Sequence, residues 1–132
     1  MPQFGLQGGM QEWVFEYDFA KEGGAAGDIT LRGAPIPVGG VIVGGYVDVI
    51  TAVTATGSAT VALKVTGTAD ILAATAKASL SLAALLIAVP DFATVGEAVR
   101  VASSAKPVVA TIAVDDLLTG KFQVHLFGFV RQ

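Results

Sequence analysis

Four aromatic side chains at every second position, Trp13, Phe15, Tyr17 and Phe19, constrain this chain more than any other feature. In a strand they share one face, with Val14, Glu16, Asp18 and Ala20 on the other, whereas a helix would spread them around its circumference. Gln11 to Ala20 therefore reads as a strand with aromatics inward and acids outward. It carries four of the ten aromatic residues, and so a large share of the core volume.

Shorter β signals follow. Lys21 to Gly27 (KEGGAAG) reads as a turn, and Asp28 to Arg32 as a short strand with Ile29 and Leu31 inward. Pro35 and Pro37 bracket Ile36, which suits a loop or a sheet edge. Val41 to Ala55 is β-branched almost throughout, with Gly44-Gly45 marking a bulge or bend. After a Gly57-Ser58 turn, Ala59 to Thr66 alternates with Val61, Leu63 and Val65 on one face, so the two segments read as a hairpin. Between Gly67 and Pro90, Ala and Leu favour helix on propensity. The flanks are β and no charged face recurs, so this stretch reads as strand, loop, then a short strand or helical turn. Ala98 to Ser103 reads as a strand, Ser104 to Pro107 as a turn and Val108 to Val114 as a strand. Asp115 to Gly120 reads as a connection and Lys121 to Arg131 as the last strand, so that the chain closes with a hairpin. Short strands separated by Gly and Pro turns predict an all-β fold, an antiparallel β-sandwich or jelly-roll-like barrel. At 132 residues the chain fits one such domain, 11–132, preceded by a Gly- and Gln-rich segment, 1–10. That segment reads either as a frayed terminus or as a flexible arm docking Phe4 and Leu6 onto a neighbouring subunit.

Charge narrows the function. Charged residues are 14% of the chain, against about 25% in an ordinary globular domain. So few charges among so many small apolar residues suit a surface covered in an assembly, which predicts association with itself or a partner. The net charge is −3, and Lys64, Lys77, Arg100, Lys106, Lys121 and Arg131 are scattered. Binding to nucleic acid through a basic face is not expected. Met1 to Met10 lacks the basic and apolar blocks of an export signal. Ala78 to Val89 is far short of the roughly 20 apolar residues of a membrane helix, so no membrane partner is expected.

The residue types that carry chemistry are sparse. There is no cysteine and one histidine, so no thiolate site exists and a zinc site lacks ligands. His125 lies between Val124 and Leu126, with no orienting partner or nucleophile evident, and reads as a hydrogen-bonded strand histidine. Asp115-Asp116 lacks the alternating acids of a calcium loop and reads as a cap for a short helix through Leu117 and Leu118. Gly120-Lys121 lacks the earlier glycine and following Ser or Thr of a phosphate loop. The doublets Gly8-Gly9, Gly23-Gly24, Gly39-Gly40 and Gly44-Gly45 match no dinucleotide fingerprint. Ser79, Ser81, Ser103 and Ser104 sit in no nucleophile elbow. No catalytic, cofactor or metal residue is nominated, and an enzyme is not expected.

Three stretches carry a family likeness. VIVGGYVDVITAVTATGSATVALKV (Val41 to Val65), TADIL (Thr68 to Leu72) and AVRVASSAKPVVATIAVDDLLTGKFQVHLFGFV (Ala98 to Val130) resemble small virion structural proteins of tailed bacteriophages, of the head decoration or head-fibre kind. The last includes LTGKF (Leu118 to Phe122) leading into the final strand. The likeness is weakest over Ala73 to Pro90. It implies a β-sandwich-type module without an active site, made in the host cytoplasm and carried on the capsid surface of the virion. It also implies binding to the major capsid protein of the head, as a homo-oligomer with a trimer favoured. Two rival expectations stand beside it. One is a tail structural component. The other is a carbohydrate- or receptor-binding β-sandwich module, which requires Trp13, Phe127 or Phe129 to face solvent as a platform.

Overall fold

The structure, a computed structural model, describes residues 10–67, 69–88, 99–101 and 104–131. Phe4 and Leu6 lie outside the described residues.

The aromatic alternation forms strand β1 (Gln11–Asp18), with Trp13, Phe15 and Tyr17 buried. It stops two residues earlier than the alternation suggests. The Asp18 carboxylate accepts a hydrogen bond from the Ala20 N–H at 3.0 Å and starts a single helical turn, α1 (Phe19–Glu22). Phe19 packs half-buried against the core from that turn. The remaining strands are β2 (Gly27–Thr30), β3 (Gly40–Ala55), β4 (Thr60–Lys64), β5 (Leu72–Ala76), β6 (Leu85–Ala88), β7 (Val99–Arg100), β8 (Val109–Ala113) and β9 (Leu117–Val130).

They form two antiparallel sheets, as expected of an all-β sandwich. The first runs β1-β9-β3-β6, with β7 continuing the β6 edge along β3, and the second runs β2-β8-β4-β5. With β7 set aside, the eight strands follow a jelly-roll order, because the chain passes repeatedly from one sheet to the other. The inner faces meet in one core. Phe15, Tyr17, Phe122, Val124, Leu126, Val47 and Val49 from the first sheet oppose Val61, Leu63, Ala110 and Ile112 from the second.

Crossing between sheets overturns two expected pairings. β3 and β4 are not a hairpin: they lie in different sheets, and Gly57-Ser58 sits in the arch between them. Nor does the chain close with a hairpin, since β7 and β9 belong to the first sheet and β8 to the second. Alternation reports which side of a strand is buried, and a buried side serves equally well in either sheet. The expected strand over Ala98 to Ser103 is reduced, among its described residues, to the two of β7. Asp115 and Asp116 cap no helix. Asp115 accepts the Ser58 N–H at 2.9 Å and Asp116 the Ala26 N–H at 2.8 Å, tying three connections together at one end of the sandwich. Leu117 to Gly120 then belongs to β9 rather than to a connection. From Gly67 onward the order is β5, a 3-10 turn (Lys77–Ser79) and β6, the strand–loop–strand sequence expected.

The doublet Gly44-Gly45 does mark a bulge. The β3–β9 register shifts between Ile42 and Gly44, so Ile42 faces the core and Val43 is exposed. Gly128 on β9 lies where a Cβ would strike the Val41 carbonyl and approach the Trp13 ring to 3.0 Å, so only glycine lets these strands close.

Candidate functional site

The strand register sorts the chemistry-bearing side chains onto the two outer faces. On the second sheet that face is small and polar: Asp28, Thr111 and Ala62 form one cross-strand row. Lys64 Nζ donates to Asp28 Oδ2 at 2.7 Å and Thr111 Oγ1 to Asp28 Oδ1 at 2.8 Å. The hydrogen bond from Lys64 is the chief reason that the Asp28 carboxyl is held below its ordinary range.

The outer face of the first sheet differs. Val14, His125, Tyr46 and Ile87 stand in one row across β1, β9, β3 and β6. The Tyr46 ring stacks on His125 with centroids 4.5 Å apart and planes 12° apart, and Phe127 tilts against Tyr46 at 5.8 Å. These pairs place an imidazole and two aromatic rings side by side on the outer face of the sheet, where such cross-strand contacts stabilise it. His125 Nδ1 lies 2.8 Å from Glu12 Oε2, and Nε2 lies 3.3 Å from Gln123 Oε1. His125 is thus the hydrogen-bonded strand histidine that the sequence indicates. Both ring nitrogens face side-chain oxygens, of Glu12 and Gln123, among the described residues.

Toward the β1 edge the face becomes charged. Arg32, paired in backbone with Glu16, donates to Glu16 Oε2 and to Glu22 Oε2, each at 2.7 Å. The Arg32 hydrogen bond holds the Glu16 carboxyl below its ordinary range, against a smaller opposing effect of burial. Behind it, burial pushes the Tyr17 hydroxyl up to about 12, while that hydroxyl donates to the Gly23 carbonyl at 2.6 Å.

Trp13, named as a possible platform, is turned into the core, whereas Phe127 and Phe129 lie half-buried on the outer face. The sequence does not disclose Tyr46 as their neighbour, because the bulge at Val43 changes which residues of β3 point outward. Ser79, Ser81 and Ser104 stand in turns and connections, and Ser103 lies outside the described residues. Among the described residues, no three His, Asp or Glu side chains gather into a metal-binding group. The outer face of the first sheet thus carries an aromatic and aliphatic row.

No family model and no curated protein sequence matches this chain. Its fold does match solved structures. A chain in the capsid asymmetric unit of cyanophage Pam1 superposes with a TM-score of 0.68 at 16% identity, covering 98% of this chain and 89% of that one. A chain in the acidic stable capsid structure of Helicobacter pylori bacteriophage KHP30 superposes with a TM-score of 0.60 at 18% identity, covering 93% of this chain and 89% of that one. Both neighbours are chains of phage capsids, and the likeness is one of fold.

Proposed function

We propose that this protein is a non-enzymatic structural component of a phage virion, one that binds the outside of the assembled head and reinforces it. The observation that carries this reading is the extent of the structural likeness. Both capsid chains are matched over almost their whole length as well as that of this chain, so the common unit is the entire small jelly roll and not a module within a larger shell protein. The partner is then the major capsid protein, the location is the capsid surface, and the chain acts as a homo-oligomer, with a trimer favoured. Residues 11–132 form the domain that docks, and residues 1–10 serve as an arm presenting Phe4 and Leu6 to a neighbouring subunit. A ligand that binds only the assembled shell stabilises that shell by mass action, by about 2.7 kcal/mol per site when its free concentration is 100 times the dissociation constant.

The test is reconstitution. Purified chain is added to assembled heads of the phage that encodes it, stripped of this protein. Co-sedimentation, density on the outer surface by electron microscopy and a higher shell melting temperature are expected. Density in the tail would replace the head assignment with a tail role. Absence from the virion, together with saturable glycan binding lost on Phe127→Ala, would replace it with the carbohydrate reading.

A further inference from the structure

The two edges of the first sheet are protected very differently. At the β1 edge, Glu16 is bridged to Arg32, and Glu12 pairs with His125. Charged edges of this kind resist pairing with other chains. At the other edge, β7 carries Arg100, but β6 reads Leu-Leu-Ile-Ala, without a charge or a proline. Leu85 is 62% exposed and Ile87 69%, and Leu82, in the turn before the strand, is 70% exposed. That turn is held against β3 by the Ala83 N–H donating to the Val49 carbonyl at 3.1 Å, which brings it beside exposed Ile50. The exposed apolar side chains therefore run from this turn along β6, with Asp48 standing opposite Leu85 on the same face, and the row from Ile87 through Tyr46 reaches Val14 by way of His125.

We propose that this β6-side face of the first sheet is the contact between copies of this chain, with a symmetry axis passing through it. The exposed parts of Leu82, Leu85, Ile87, Ile50 and Val43 amount to roughly 500 Å² of largely apolar surface, within the upper range for a monomer's largest patch. A foreign partner would have to bring a matching patch. A second copy brings the same patch again, and the pair buries about 1,000 Å², the threshold of a specific interface, before any polar rim is counted. Closed symmetric assemblies of one chain are also the commonest oligomers. Among the described residues, the small, polar outer face of the second sheet, with its Lys64–Asp28 pair and threonines, carries no such patch. A patch that meets itself joins copies in pairs, so this contact by itself builds a dimer and not the trimer favoured above; it rests on the proposed self-association but is tested apart from capsid binding.

The native chain is compared with Ile87→Glu and Leu85→Glu, and with Ala113→Glu on the second sheet as control, by sedimentation equilibrium, with circular dichroism to confirm folding. An oligomeric native chain and control are expected. Each β6 variant should remain folded while its self-dissociation constant rises on the order of 30-fold or more. Because the chain has no cysteine, Ile87→Cys supplies a second measurement that introduces no charge. Mild oxidation should link Ile87→Cys chains to one another, whereas Ala113→Cys chains should stay unlinked. A monomeric native chain, folded β6 variants as oligomeric as the native chain, or preferential linking through Ala113→Cys would overturn the proposal. Heads that bind the chain although it is monomeric would overturn this interface and leave the capsid reading standing. An oligomer formed through β6 that ignores heads would do the reverse.

Discussion

Replacing Asp70 should unfold the β4–β5 end of the sandwich more than its position in a turn suggests. Asp70 is the buried charged residue among those described, at 3% exposure, and its carboxylate organises the whole turn. Oδ1 accepts the Val65 N–H at 2.8 Å, and Oδ2 accepts the Thr66 N–H, the Thr66 hydroxyl and the Gly67 N–H at 3.0, 2.9 and 2.8 Å. Hydrogen bonds to a charged group are worth about 1.5–3 kcal/mol each, but the four are not additive and the buried carboxylate carries a desolvation cost. Asp70→Ala, which leaves a buried backbone donor unpaired, is therefore expected to cost about 3–5 kcal/mol. In Asp70→Asn the amide nitrogen settles where Oδ1 stood, and one bond of the four is lost, at a cost of about 1.5–3 kcal/mol. Urea unfolding followed by the fluorescence of Trp13, the single tryptophan, measures both. For a chain of this length the Asp70→Ala loss corresponds to a melting temperature lower by about 10–18 °C. A loss under about 1 kcal/mol for Asp70→Ala, or equal losses for the two variants, would refute the assignment of this carboxylate as the turn's organiser.

Three further outcomes are expected. The Tyr17 hydroxyl, pushed up to about 12 by burial, is protonated longer in the folded chain than in the unfolded one. Its contribution is complete below pH 10 and is lost as pH rises from 10 to 12, by roughly 2 kcal/mol, and Tyr17→Phe should flatten stability across that window. Glu16, held low chiefly by Arg32, contributes above the ordinary carboxylate range and loses that contribution as pH falls through its folded value. On a partly exposed edge, Glu16→Gln should remove less than about 1 kcal/mol, measured as a shallower acid limb in a denaturation series. Gly128→Ala drives a methyl into the Val41 carbonyl and against Trp13, so a loss of at least about 3 kcal/mol, or failure to fold, should show in soluble yield and melting temperature.

Much of the fold was legible because burial leaves a period-two imprint. Trp13, Phe15 and Tyr17 on β1, and Val61 and Leu63 on β4, face the core as the alternation indicates. Sheet membership was not legible, because Gly57-Ser58 looks the same in a hairpin as in an arch between sheets. Asp115-Asp116 has the composition of a helix cap, and its true targets, the Ser58 and Ala26 amides, are 57 and 90 residues away in sequence. At the candidate surface, His125 was legible as a strand residue, but its stacking on Tyr46 was not, since the bulge at Val43 resets the parity of β3. Leu85 and Ile87 were hidden in an Ala- and Leu-rich stretch with no alternation of polarity to show which side faces solvent.

The pairing of β1 with β9 has a consequence for synthesis. Gln11 meets Gly128 and Asp18 meets Lys121, so, apart from the single Glu16–Arg32 bridge, the aromatic strand has no partner strand until more than a hundred further residues are joined. At ribosomal rates of about 5–20 residues per second, Trp13, Phe15 and Tyr17 wait on the order of 5–20 s uncovered. Folding dominated by such distant pairings is slow even once the chain is complete. The jelly roll therefore closes late and around β9. Yield in the cell should depend on how well chaperones shield the aromatic strand in that interval.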